Sequence, residues 1–86
     1  MIEHAESFLR DLEFHDVRVR HHELKQGYLA RIEVGATEMT RLLNEAAFEQ
    51  VVEALKKIGY AHVTLDLRGY RPGSLNEPVR RVDARS

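Results

Sequence analysis

The 86-residue chain has no cysteine, no tryptophan, two prolines and five glycines. Without cysteine there can be no disulfide, thiolate nucleophile, iron–sulfur cluster or cysteine-built zinc site. The five glycines fit neither G-x-x-x-x-G-K-[ST] nor G-x-G-x-x-G, so neither phosphate-cradling loop pattern is present. No run approaches the roughly 18 apolar residues of a membrane span. The opening Met1–Glu6 stretch is acidic and lacks an apolar signal core, so a cytoplasmic protein that does not engage a membrane is expected. The length allows one domain, not two. Hydrophobic residues at 43% and charged residues at 31% suit a folded globular chain.

Neither sign of charge prevails. A net charge of −1 gives the whole chain no general attraction to nucleic acid. The distribution is uneven, however. Residues 17–32 carry Arg18, Arg20, Lys25 and Arg31 against Glu23, and residues 67–86 carry Arg68, Arg71, Arg80, Arg81 and Arg85 against Glu77 and Asp83. Acid-rich stretches, 1–16 and 33–66, alternate with these basic ones.

Ile2, Ala5, Phe8, Leu9 and Leu12 recur at helical spacing and predict a helix over residues 2–13. From Asp16 the period drops to two. Val17 and Val19 alternate with Arg18, Arg20 and His22, and Tyr28, Ala30, Ile32 and Val34 alternate with Leu29, Arg31 and Glu33. The intervening Glu23–Gly27 reads as the loop of an antiparallel hairpin. Thr37 can cap a short helix, Glu38–Leu43. Asn44 can cap a longer one, whose stripe is Phe48, Val51, Val52, Leu55 and Ile58 and whose end is marked by Gly59. His62–Leu67 alternates again, with Val63, Leu65 and Leu67 inward. Beyond it, Arg71-Pro72-Gly73 reads as a turn and Ser74–Glu77 has the form of a capping box ahead of Pro78.

The order α-β-β-α-α-β predicts an α+β two-layer sandwich: a three-stranded, mostly antiparallel sheet with helices on one face. Residues 2–77 form the expected domain and residues 78–86 a flexible basic tail. The second sheet face then carries Arg18, Arg20, His22, Arg31, Glu33, His62, Thr64 and Asp66. Arginines gathered there can hold a phosphate or another anion. They can equally pair across strands with Glu33 and Asp66 on a solvated face.

Self-contained catalysis finds no support. Ser7, Ser74 and Ser86 lack the setting of a nucleophile elbow. Glu33 and Asp66 amid arginines suit ion pairing better than general acid–base work. The five histidines show no H-E-x-x-H, and adjacent His21 and His22 point to opposite faces of a strand, so no metal site is expected. The element order also resembles a bacterial-type KH domain, which makes a small single-stranded nucleic-acid-binding module the alternative reading. The corresponding turn, Leu43-Asn44-Glu45-Ala46, has no GXXG and carries a negative charge.

Three segments together point to a family. They are Val17-Arg18-Val19-Arg20-His21-His22, then Leu29-Ala30-Arg31-Ile32-Glu33-Val34, then residues 63–77, Val-Thr-Leu-Asp-Leu-Arg-Gly-Tyr-Arg-Pro-Gly-Ser-Leu-Asn-Glu. In this order they resemble the C-terminal region of the ATP-dependent sacrificial sulfur transferases, the LarE family of the PP-loop ATP pyrophosphatase superfamily. Family members adenylylate a carboxylate of a pyridinium mononucleotide with an N-terminal PP-loop domain and then supply sulfur. This chain has no Ser-Gly-Gly signature and no cysteine, so the resemblance implies ATP and magnesium only for a separate catalytic domain. It implies here a non-catalytic accessory domain that helps build a homo-oligomer or docks on the PP-loop domain, and that contributes basic residues to a phosphate-bearing ligand. Arg18 and Arg20 match the family's strand arginines, and Glu6 and Glu33 its acids. The implied site is Arg18, Arg20, Arg31 and Glu33, supported by Glu6, Asp66 and Arg71. Loop 23–27 is expected to be longer than the family's usual tight turn.

Overall fold

A computed structural model describes residues 1–70. The turn at Arg71, the capping box at Ser74–Glu77, the basic tail and Arg71 as a supporting residue lie outside the described residues. The elements are α1 (Ile2–Asp11), β1 (Val17–Leu24), β2 (Gly27–Val34), α2 (Ala36–Leu43), α3 (Glu45–Ile58) and β3 (His62–Leu65). The α+β architecture and the order α-β-β-α-α-β are those read from the periodicities. The sheet runs β1-β2-β3. Its antiparallel pairing extends from Val17↔Val34 to Leu24↔Gly27, twice as far as the parallel pairing of Leu29↔His62 to Ile32↔Leu65.

Period-2 alternation puts Val17, Val19, Ala30, Ile32 and Val34 on one sheet face, all buried. Ala5 and Leu9 of α1, Leu42 of α2, and Val51 and Leu55 of α3 join them in one core, with Phe14 and Tyr60. Each large side chain buried there contributes about 1.5–3 kcal/mol, against the entropy lost on ordering the chain.

Two helices end in the same hydrogen-bonded turn. In α3, the Gly59 N–H donates to the Lys56 carbonyl at 3.1 Å and the Tyr60 N–H to Leu55 at 3.1 Å, with Gly59 at φ +133°. In α1, the Glu13 N–H donates to Arg10 at 2.8 Å and the Phe14 N–H to Leu9 at 3.1 Å, with Glu13 at φ +71°. That turn stops α1 at Asp11, two residues before the end expected from the apolar stripe. It also carries Phe14 back into the core.

Three other expectations are corrected. The hairpin connection is tight, since Leu24 pairs with Gly27 and only Lys25 and Gln26 lie outside the ladder. Alternation fades at Glu23 because both faces of the tip are exposed, although pairing continues. Gly27 takes φ +123°, and a Cβ there would lie 2.9 Å from that of Ala61. The first short helix starts at Ala36, not after Thr37, with Gly35 as its N-cap. The Gly35 N–H still bonds Asp16 in the ladder at 2.9 Å while its carbonyl accepts from Glu38, so strand passes directly into helix. Finally, β3 ends at Leu65, and Leu67 is 81% exposed rather than inward. Asp66 turns the chain by accepting the Arg68 N–H at 2.9 Å, and the Tyr70 N–H then returns to the Val34 carbonyl at 2.8 Å.

Candidate anion site

The hairpin register sets Arg18 opposite Glu33 and Arg20 opposite Arg31. Two arginines in direct cross-strand opposition repel. Glu33 relieves this by bonding both: Arg20 Nε donates to Oε1 at 3.1 Å, and Arg31 Nη2 to Oε2 at 3.4 Å. Arg31 Nε lies 3.6 Å from Asp66 Oδ2. Glu33, 8% exposed, is the one buried charged residue among those described. Arg31 Nε is buried without a hydrogen-bond partner among the described residues, an orphaned donor on this face.

Arg18 differs from its neighbours. It is exposed and has no carboxylate within ion-pair distance among the described residues. Its guanidinium carbon sits 5.4 Å from the Tyr70 ring centroid. Hydrogen bonding toward the Tyr70 hydroxyl is the largest cause holding it above the ordinary arginine value, with Glu6 and Glu33 adding smaller electrostatic support.

Four expected site residues, Arg18, Arg20, Arg31 and Glu33, therefore meet on one face, and Asp66 joins through Arg31. Glu6 does not. It lies on α1 beside the outer edge of β1, where Oε2 accepts the Val19 N–H at 2.9 Å and Oε1 lies 3.5 Å from Arg10 Nη2. Thr64 is occupied locally, donating to the Ala30 carbonyl at 3.2 Å. His22 and His62 both pair with Leu29, from opposite sides, so an apolar residue separates them. No group of three or more His, Asp or Glu side chains among the described residues could hold a metal. His21 faces the helices, with Nδ1 3.0 Å from the Tyr60 hydroxyl and its ring 4.6 Å from that of Tyr28. The turn between α2 and α3 is closed by Asn44, whose side chain accepts the Ala46 N–H at 3.1 Å.

Sequence reasoning missed Tyr70, which follows β3 where periodicity is lost. It also missed Arg41. That residue donates to the carbonyls of Leu12 and Glu13 and lies 4.1 Å over the Phe14 ring. One turn away on α2, Glu38 accepts the His15 and Asp16 N–H groups at 3.1 and 3.3 Å, so α2 clamps the whole α1–β1 connection.

No family model matches the chain. It is 36% identical over 72 residues, 84% of its length, to an uncharacterised protein of Synechocystis sp.. It is also 36% identical over 78 residues, 91% of its length, to the pyridinium-3,5-bisthiocarboxylic acid mononucleotide synthase of Lactiplantibacillus plantarum. The chain is related to part of that synthase. It spans about a quarter of the length of these curated relatives, 25% and 26% respectively. Both alignments take in most of the domain, which supports a LarE-like relationship beyond the three segments that suggested it.

Proposed function

We propose that this chain is a non-catalytic accessory domain of a PP-loop ATP-dependent sulfur-transferase-like system, and that its arginine face binds a phosphate-bearing ligand. The observation that carries the reading is that Glu33 and Asp66 hold Arg20 and Arg31 on the sheet face away from the helices, with Arg18 opposite Glu33 in the ladder. Three guanidinium groups against two carboxylates leave that face positive, and Arg31 Nε has no hydrogen-bond acceptor among the described residues. A planar guanidinium grips phosphate oxygens in pairs. Glu33 orients Arg20 and Arg31, while ATP and magnesium belong to the PP-loop domain.

The test is an amide NMR titration with pyrophosphate and with a pyridine mononucleotide. Saturable shifts confined to residues 17–34 and 66–70, lost in Arg18→Ala, are expected. An absence of shifts at millimolar ligand would sink the reading. Single-stranded RNA serves as the comparison ligand, and a binding constant falling steeply with salt would favour the nucleic-acid alternative instead.

The second part of the proposal is association with a further copy or with the PP-loop domain. It is supported by a groove between β3 and helices α2 and α3, lined by Leu43, Phe48, Val52, Val63 and Leu65. Leu43 and Phe48 stand 51% and 49% exposed there. Light scattering on the chain alone, and mixed with the PP-loop domain, should show a mass above the monomer that Phe48→Glu reduces. Monomer throughout would refute it.

A further inference from the structure

The route of the chain after β3 brings an aromatic hydroxyl to the one site arginine that no described carboxylate engages. Asp66 donates its N–H to Ile32 at 2.8 Å, the chain then leaves the ladder, and Tyr70 rejoins β2 at Val34. The detour depends on Gly69, at φ +78°, where a Cβ would lie 2.6 Å from the Val34 carbonyl oxygen. Its outcome is Tyr70 beside Arg18, on the face where Arg20 and Arg31 already hold Glu33.

We propose that the seat for the anion is formed by Arg18 together with Tyr70, not by Arg18 and Arg20 side by side, and that Tyr70 is a binding residue of this domain. The inference rests on the anion-binding reading given above and specifies where on that face the ligand sits. Arg18 and Arg20 share a face through their two-residue spacing, but Arg20 Nε is bonded to Glu33 at 3.1 Å. The Glu33 carboxylate beside Arg20 offsets part of its charge, so an anion there meets a counter-charge even where the Nη donors reach it. Arg18 has no such counter-charge within ion-pair distance among the described residues; its neighbour is the Tyr70 side chain, 5.4 Å away at the ring centroid. A tyrosine hydroxyl accepts from a guanidinium and, on rotation, donates to an oxyanion. An arriving phosphate thus gains the Arg18 guanidinium and the Tyr70 O–H together, the second being a hydrogen bond to a charged acceptor.

Pyrophosphate binding to the whole chain, followed by amide shifts, tests this with Tyr70→Phe, Arg18→Ala and Arg20→Gln. Tyr70→Phe retains the ring and removes only the hydroxyl, and unchanged amide dispersion verifies that the fold is intact. Its dissociation constant should rise about tenfold, the value of one charge-assisted hydrogen bond. Arg18→Ala should abolish saturation, and Arg20→Gln, which removes one charge from the same face, should weaken binding less than Arg18→Ala does. A Tyr70→Phe constant within about twofold of wild type overturns the inference while leaving the anion site standing. No pyrophosphate binding by the wild-type chain overturns the underlying reading itself.

Discussion

Arg20 Nε lies 3.1 Å from Glu33 Oε1, on a diagonal across the β1–β2 ladder, although the residue directly opposite Arg20 is Arg31. That diagonal makes Glu33 the hinge of the arginine face, since the same carboxylate also takes Arg31 at 3.4 Å. The face is consequently both a set of cross-strand ion pairs and a surface with one guanidinium unengaged by any described carboxylate. The two readings of the alternation are not exclusive.

Glu33→Gln keeps the side-chain shape and removes the charge that separates Arg20 from Arg31. The two arginine side chains are 44% and 39% exposed, so the loss should be about 1–2 kcal/mol, below that of a fully buried pair. Urea unfolding at low and high salt measures it. The penalty should shrink at high salt, where the repulsion is screened; a penalty independent of salt would contradict this account.

Glu13 occupies a left-handed position, φ +71°, that α3 fills with glycine. Glu13→Gly should therefore stabilise the domain by roughly 0.5–1 kcal/mol, even though it adds a flexible residue. A raised urea midpoint with unchanged slope is the expected result. A lowered midpoint would show that the glutamate side chain has a role the turn geometry does not reveal.

Burial holds the Tyr60 hydroxyl above the usual phenol range, and the charge of Glu6 acts in the same direction. A folded-state value above the unfolded one means that the folded chain keeps this proton longer. Its contribution is therefore fully present below about pH 10 and declines as pH rises through that value toward the folded one. Denaturation midpoints at stepped alkaline pH should fall in the wild type and fall less steeply in Tyr60→Phe. The same variant loses the bond to His21, 3.0 Å away, and should be about 1 kcal/mol less stable at neutral pH.

Arg41→Ala removes two hydrogen bonds to the carbonyls closing α1 and a cation stacked 4.1 Å over Phe14. The expected cost is about 1–2 kcal/mol, read as a lowered thermal midpoint. Lysine at this position should recover less than half of it, because a point charge cannot stack and fork at once. Full rescue by Arg41→Lys would mean that only the charge matters.

Much of this was legible from spacing. The stripe Val51–Leu55, the Asn44 cap and the Gly59 turn needed only local rules, because a helix closes its hydrogen bonds within four residues. Period two alone placed Arg18, Arg20, Arg31 and Glu33 on one face. The end of the hairpin was not legible, since a strand exposed on both sides loses its hydrophobic alternation while its backbone stays paired. Leu67 misled for the opposite reason: the apolar alternation continues past Leu65, but the carboxylate of Asp66 turns the backbone away.

The sequence by itself determined the elements, their order and which side chains share a sheet face, because these follow from periodicities of 3.6 and 2 and from capping chemistry within a few residues. Only the tertiary structure decided which arginine meets which partner. Register puts Arg20 against Arg31 and sends it to Glu33, while the bend after Leu65 carries Tyr70 to Arg18, 52 positions away in the chain. Contacts between residues so far apart depend on how packed elements are offset, and that offset is set by the whole core at once rather than by any local pattern.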